Sequence, residues 1–232
     1  LGDVYKRQLY IYMKYKSLIS GFLLFLLQVT VFYYTFCYLF PFKEQLQMFQ
    51  FTNQYAATTL GQAGGVALYI SEFLSQFYVV IGIGPVIAAL TLTGIAFFSF
   101  LFLKKISLRD DLPFVGLLPW LSLFIMQLDY DYQEQGTIAY LFLLFFLWLY
   151  TNLKPKIRLI YGICLIPVLY WVGGPVVHLF ALSALLFEFL TNGNKKYTSL
   201  VYPLVAILSA VIGAYLGFSR NLKFAFLPDA YY

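Results

Sequence analysis

The sequence predicts an all-α fold, a polytopic helical membrane protein with about seven transmembrane helices. Of its 232 residues, 62% are hydrophobic and only 11% are charged, whereas average soluble domains carry about 25% charged residues. Continuous apolar runs are the second observation, since each is long enough, or nearly so, to cross a hydrocarbon core about 30 Å thick. The runs cover residues 17–40, 77–103, 113–128, 136–153, 157–172, 175–190 and 198–218. A water-soluble fold is therefore excluded.

The basic residues predict how this bundle is oriented. When the loops are taken alternately from the N-terminus, one set holds all but three of the 15 Lys and Arg residues, and the other holds only Lys43, Arg220 and Lys223. Cytoplasmic loops carry the excess of Lys and Arg. We therefore expect a bacterial inner-membrane protein with its N-terminus in the cytoplasm and its C-terminal end in the periplasm. The basic residues form no single patch, so the expected partner is the lipid bilayer and not nucleic acid.

The first outer loop, residues 42–76, is too long for a simple connector. Its pattern predicts two amphipathic helices lying in the outer membrane interface, separated by the glycines of 61–65. In the first helix Glu44 lies opposite an apolar stripe. In the second, Phe73 belongs to the apolar stripe, while Glu72 and Ser75 belong to the polar one. The pattern therefore predicts that an aspartate is harmful at Phe73 and tolerated at Ser75.

Three acids lie close together in the second outer loop, residues 129–136: Asp129, Asp131 and Glu134. Two carboxylates at D-x-D spacing supply the oxygen ligands that a hard divalent ion such as Mg²⁺ or Mn²⁺ prefers. The spacing indicates a metal ion held by Asp129 and Asp131. The alternative is a solvated loop whose acids merely avoid lipid.

His178 follows a Gly-Gly-Pro turn in the third outer loop and lies near the start of the sixth span. An ionisable residue at that depth is a functional hypothesis by default, and an interhelical hydrogen bond is the alternative. Glu188, near the inner end of the same helix, is expected to snorkel or to pair with Lys195 or Lys196.

The chain divides into three parts. Residues 1–12 look like a non-native leader ahead of a plausible start at Met13. Residues 13–218 form the transmembrane domain, and residues 219–232 are expected to begin a periplasmic segment that the sequence cuts short. Cys37 and Cys164 lie within spans and are expected to be small packing residues.

Residues 44–49, EQLQMF, and residues 64–78, GGVALYISEFLSQFY, resemble elements of an uncharacterised family of polytopic membrane proteins from Bacteroidota. That resemblance covers about residues 13–232 and brings no known activity. The order of elements is also similar to the GT-C class of membrane glycosyltransferases, which have seven spans and a cytoplasmic N-terminus. Their first outer loop has two interface helices and an acid, and many carry a further acidic motif in the second. Here the first acid is Glu44, where those enzymes usually use Asp.

The GT-C resemblance implies a glycosyltransferase that acts on a lipid-linked sugar at the periplasmic face. Glu44 would be the general base on an acceptor hydroxyl, and both loops would line one cavity with His178 on its wall. The implied catalytic residues are Glu44, Asp129 and Asp131, and the implied substrate-binding residues are Lys43, Glu134 and His178. A non-catalytic envelope-assembly protein and a transporter subunit remain alternatives. Spans two, four and seven lack ionisable residues at their centres, which argues against ion-coupled transport.

Overall fold

A computed structural model of the protein describes residues 2–106, 115–191, 198–217 and 225–226, with the side chains of residues 19 onward except 156 and 198. Several residues named above lie outside this part of the chain: Lys195, Lys196, Arg220, Lys223 and the rest of 219–232 except residues 225 and 226. The side chains of the expected leader, residues 1–12, also lie outside it.

All regular structure in the described residues is helical, which confirms the predicted all-α class. The helices are α1 (Gly2–Thr35), α2 (Leu39–Leu46), α3 (Asn53–Leu60), α4 (Gly65–Ser75), α5 (Ile83–Ile106), α6 (Leu117–Met126), α7 (Glu134–Asn152), α8 (Pro155–Gly173), α9 (Val177–Thr191) and α10 (Val201–Tyr215). Short 3₁₀ turns cover Gln76–Val79, Gly174–Val176 and Thr198–Leu200.

Two stretches of the described chain are long and apolar enough to cross a membrane, Ile83–Ile106 and Ile157–Thr191. A third exists if Ile19–Thr35 and Leu39–Leu46, which meet at an angle of 86°, together form one broken span. The predicted first span therefore bends sharply after Thr35. Of the other predicted spans, α6 has only 10 residues, about 15 Å of helix, and the count of seven remains a prediction.

The stretch Ile157–Thr191 folds back on itself. Arg158 Nη1 and Glu188 Oε1 are 3.0 Å apart, whereas a continuous helix at about 1.5 Å per residue would separate these residues by about 45 Å. The chain reverses after Gly173, where Gly174 adopts a φ of 66°, which only glycine populates readily. Helices α8 and α9 are thus an antiparallel pair, as the sequence predicted for these two segments.

Helix α7 lies at the centre of the bundle. It packs against α4, α5, α8 and α9, which explains why its sequence is apolar on every side. Its side chains Leu147 and Tyr150 are fully buried, together with Ile166 of α8 and Phe180 of α9.

The two ends of the bundle differ in charge. Thr91 of α5 contacts Glu134 at the start of α7, and Lys105 of α5 donates a hydrogen bond to Asn152 at its end, so α5 and α7 run in the same direction. We call the first end the acidic end, which carries Glu44, Glu72, Asp129, Asp131 and Glu134. We call the second the basic end, which carries Lys104, Lys105, Lys154 and Arg158.

The first outer loop differs from the prediction. It forms three helices, α2, α3 and α4, instead of two. In α4 the small residues Ala67, Ser71 and Ser75 are fully buried, while Phe73 is 37% exposed. The predicted faces are therefore wrong at Ser75. The physical reason is that small residues such as Ser75 let helices approach closely and so become buried. An aromatic side chain such as Phe73 can face lipid, whereas the amphipathic pattern assumes that the exposed face is polar.

Candidate functional site

The first and second outer loops meet at one buried lysine. The Lys43 Nζ donates to the backbone carbonyl of Gln127 at 2.9 Å and to its Oε1 at 3.2 Å. Lys43 is only 4% exposed, and a buried ammonium is stable only when it is paired and hydrogen-bonded. The contact therefore holds α2 against the end of α6.

The Glu134 carboxylate lies close enough to the Lys43 ammonium to interact with it electrostatically, but its hydrogen bonds are to other side chains. Gln127 donates through Nε2 to Glu134 Oε2 and, at 2.9 Å, to Thr137 Oγ1. Thr91 donates to Glu134 Oε1 at 3.4 Å, and the hydroxyls of Tyr132 and Thr137 lie 3.0 Å apart. We call Lys43, Thr91, Gln127, Tyr132, Glu134 and Thr137 the Lys43 centre.

Aromatic side chains lie around the contact between Lys43 and Gln127. The Lys43 Nζ lies 5.6 Å from the centroid of the Tyr132 ring, a favourable cation–π distance. The Tyr130 ring packs edge-on against Phe42 at 5.6 Å between centroids and lies 6.3 Å from Tyr38. The second outer loop is therefore seated on α2 by both polar and aromatic contacts.

Of the predicted catalytic acids, Glu44 directly follows Lys43 in α2, and Asp129 and Asp131 follow Gln127 in the second outer loop. Glu44 is half-buried next to Lys43, and Asp129 and Asp131 are exposed. Asp129 is close enough to Lys43 to interact with it electrostatically, and its Oδ1 accepts a hydrogen bond of 3.2 Å from the Asp131 backbone N–H. The structure thus brings together the chain segments that carry these acids. Lys43 and Glu134 are buried and engaged in internal hydrogen bonds.

The predicted metal site has two carboxylates at most. No group of three or more His, Cys, Asp or Glu side chains suited to a metal ion occurs in the described part of the chain. Asp129 also uses one oxygen to cap its own loop. A divalent ion at Asp129 and Asp131 would have to keep most of its water, as Mg²⁺ commonly does.

The described contacts of His178 are with the last described residues of the chain, Ala225 and Phe226. Its ring stacks on Phe226 at 5.3 Å, and it makes a hydrogen bond with the Ala225 backbone. Its buried Nε2 has no hydrogen-bond partner among the residues that the structure describes. None of the described contacts joins His178 to Lys43 or to Glu134.

The third outer loop reaches the first through its backbone. Gly64 N–H donates to the Tyr170 carbonyl at 3.1 Å, and the Trp171 indole donates to the Leu60 carbonyl at 2.7 Å. Gly64 has a φ of 73°, and a Cβ there would lie 3.3 Å from the Gly174 nitrogen. The positive φ favours glycine at both positions, and the close approach of the two backbones adds to this at Gly64.

Glu72 lies on the outer part of α4. The Tyr55 hydroxyl of α3 donates to Glu72 Oε2, so the contact joins the two short helices. Partial burial raises the pKa of Glu72 to about 7, because an apolar environment disfavours the charged carboxylate.

A second buried ionic cluster, at the basic end, was not anticipated as a unit. Glu188 accepts hydrogen bonds from Arg158 at 3.0 Å and from the Tyr150 hydroxyl at 2.9 Å. Tyr150 also bonds the Tyr202 hydroxyl at 2.8 Å. Glu188 therefore pairs with Arg158, and its expected partners Lys195 and Lys196 lie outside the described residues.

Gln127, Thr91 and Thr137 are also members of the Lys43 centre that the sequence reasoning missed. Each is a polar residue next to or inside an apolar run, and that placement was the available signal, because a polar side chain there needs a buried partner.

The chain matches the model of a family of unknown function, DUF6057, over residues 11–232. It belongs to that family, which confirms the expectation of an uncharacterised family that covers nearly the whole sequence. No curated protein and no solved structure matches it.

Proposed function

We propose that this member of DUF6057 is a multi-pass inner-membrane enzyme of GT-C type that transfers sugar from a lipid-linked donor at the periplasmic face. The acidic end is then periplasmic, the basic end cytoplasmic, and the seven predicted spans carry the bundle. The separation of Lys104, Lys105, Lys154 and Arg158 from the acids along α5 and α7 supports this orientation, because Lys and Arg favour the cytoplasmic side.

The observation that carries the proposal is the hydrogen-bonded contact between Lys43 and Gln127. It ties α2, which bears Glu44, to the loop that bears Asp129 and Asp131. Carboxylates gathered beside one another repel, so they persist where a cation or a basic ligand lies between them. The buried Lys43 supplies part of that positive charge to Asp129, and a bound acceptor or divalent ion would supply the rest.

In this proposal the residues divide into two layers. Glu44 is the general base on the acceptor hydroxyl, and Asp129 and Asp131 hold the acceptor or a hydrated divalent ion. Lys43 and Glu134, first expected to bind substrate, act as positioning residues because their polar atoms serve the buried network. As an imidazolium, His178 would donate its Nε2–H, which no described residue accepts, to the lipid phosphate.

The test is the lipid content of cells that carry variants of the gene. Loss of a general base costs about 10²–10⁴-fold in rate, so Glu44→Gln and Asp129→Asn should make a lipid-linked sugar accumulate, as deletion of the gene does. Glu72→Gln is the matched control, since it neutralises an acid of the same end outside the proposed site. Mass spectrometry of lipid extracts reads the outcome, with protein amounts checked in the membrane fraction. If deletion of the gene changes no lipid-linked sugar, the proposal is wrong.

Ion-coupled transport is the second candidate, favoured by the buried charges of the Lys43 centre and of the Arg158–Glu188 pair. Intramembrane ionisable residues commonly mark ion pathways. Here, however, Glu134 is the first residue of α7, and Arg158 lies in the first turn of α8. The charges are therefore at opposite ends of the bundle, and α7 has no ionisable Asp, Glu, Lys, Arg or His between Glu134 and its end.

A further inference from the structure

A groove opens between α6 and the neighbouring helices α7 and α9. It has a volume of about 510 Å³, within the range of about 300–1,000 Å³ typical of small-molecule sites. Its walls include Leu118, Ser122 and Met126 of α6, Tyr132 and Tyr140 on the α7 side, and Leu179 of α9. From Leu118 to Met126, nine residues of α6, the groove extends over about 12 Å of helix axis.

The groove is chemically suited to hydrocarbon. Most of its lining is aliphatic or aromatic carbon. The Ser122 hydroxyl is bonded to the Leu118 carbonyl at 3.0 Å, and the Tyr132 hydroxyl is bonded to Thr137. A sugar or an ion in this groove would lose part of its water and find these hydroxyls already engaged, which is unfavourable. An alkyl chain needs no such partner.

The surface on both sides of the groove is apolar and outward-facing. On α6, Leu121 is 44% and Ile125 is 59% exposed, and on α9, Leu182 is 50% exposed. In a bundle that spans a membrane, as proposed above, these side chains contact lipid. The groove therefore continues the lipid-facing surface inward, beside the acidic end that Tyr132 marks.

We propose that this groove binds one acyl chain of a phospholipid from the outer leaflet, with the head group beside the 129–132 loop. Its length of about 12 Å suits one leaflet, which is half of a hydrocarbon core about 30 Å thick. The bound chain packs against α6 where the described part of the chain leaves the groove open, and it helps to hold the second outer loop in place. The inference depends on the membrane placement given under the proposed function but not on catalysis.

Photolabelling of the whole chain tests this assignment. The protein is placed in vesicles of phosphatidylethanolamine and phosphatidylglycerol that contain a phospholipid with a diazirine in one acyl chain. It is then moved into detergent, which removes loosely held lipid, and is irradiated and mapped by mass spectrometry. Label should concentrate on residues 118–126 and 176–179, at least fivefold above the exposed face of α10.

Variants separate the groove from the general lipid surface. Ser122→Trp and Leu179→Trp, on opposite walls, should each reduce the label at least fivefold, while Ile125→Trp on the same helix but outside the groove should leave it within twofold. A misfolded variant would lose the label for a trivial reason, so gel filtration first shows whether each variant is folded. Two groove substitutions are made so that the test does not depend on the folding of one variant.

Three results would overturn the assignment. They are label spread evenly over α6 and α10, label that survives both groove substitutions in folded protein, and label displaced by an equal amount of polyprenyl phosphate. The last would give the groove to a different lipid. None of these bears on whether Glu44→Gln causes a lipid-linked sugar to accumulate, so the two proposals fail separately.

Discussion

Lys43 and Gln127 lie 84 residues apart in sequence, yet the ammonium of the first is 2.9 Å from the backbone carbonyl of the second. A carbonyl acceptor constrains the position of the loop itself, whatever side chain Gln127 carries. The Gln127 side-chain amide in turn donates a hydrogen bond to Glu134. The acidic end is thus organised around a buried lysine, with the exposed acids arranged about it.

Replacement of this lysine should destabilise the protein strongly. Lys43→Met leaves the buried Glu134 without a compensating charge, and the loss of one partner from such a pair costs about 3–5 kcal/mol. Unfolding by denaturant in detergent measures the change. Lys104→Met, an exposed lysine at the basic end, is the control and should stay within about 0.5 kcal/mol.

The double variant Lys43→Met/Glu134→Gln should be more stable than the sum of the two single effects, by about 0.5–3 kcal/mol. Neutral groups at both positions remove the unpaired charge, while Gln127 keeps an amide partner. Strict additivity would mean that Lys43 and Glu134 do not interact through Gln127.

Ser75 should tolerate substitution less well than its place in the polar stripe suggests. It is fully buried, and its hydroxyl lies 3.3 Å from the Gln47 carbonyl. Ser75→Asp puts an unpaired charge there at a cost of several kcal/mol, so the yield of monodisperse protein in gel filtration should fall sharply. Ser75→Ala, which removes about one hydrogen bond, should cost only about 1 kcal/mol. A normal yield for Ser75→Asp would show that α4 does not pack as described.

This case shows where sequence reasoning succeeded and where it stopped. The apolar runs identified the helices, and the glycines near 61–65 located the break before α4, because both signals are local. The pattern could not tell which stripe of α4 faces protein, since the aromatic stripe around Phe73 suits lipid as well as a core. Nor could spacing show that Arg158 and Glu188 meet, because that contact depends on the reversal at Gly174 and on the packing of α8 against α9.

The contact between α3 and α4 should depend on pH through Glu72. Its pKa is about 7 in the folded protein and about 4.3 when unfolded, so the folded state binds the proton more tightly. The stabilisation is therefore complete below about pH 4, declines as the pH rises, and is lost above about pH 7. Hydrogen exchange of residues 53–60 should accelerate between pH 5 and 8.5 beyond the intrinsic change. Glu72→Gln should remove that excess, and an unchanged excess in this variant would assign it to another group.

The Arg158–Glu188 ion pair at the basic end should be costly to break but replaceable as a whole by apolar residues with little loss of stability. Arg158→Met leaves the carboxylate of Glu188 buried without its cation and should cost about 3–5 kcal/mol. Arg158→Met/Glu188→Leu should recover most of that loss, because a buried pair replaced by apolar residues is often neutral. Denaturant unfolding of the single and double variants gives both values. No recovery in the double variant would mean that the hydrogen bonds to Tyr150 dominate.

The first two outer loops form one site on the periplasmic face if the proposed function is right. The most direct measurement uses Glu44→Cys with Asp129→Cys in a chain whose Cys37 and Cys164 are replaced by serine. A short bis-maleimide that does not cross membranes is added to intact spheroplasts, and a protease site between the positions reports the cross-link. We expect rapid cross-linking from outside, and little with Lys104→Cys and Asp129→Cys, which lie at opposite ends. Cross-linking of Glu44→Cys with Asp129→Cys only after the membrane is opened, or not at all in folded protein, would show that the two loops do not form one periplasmic site.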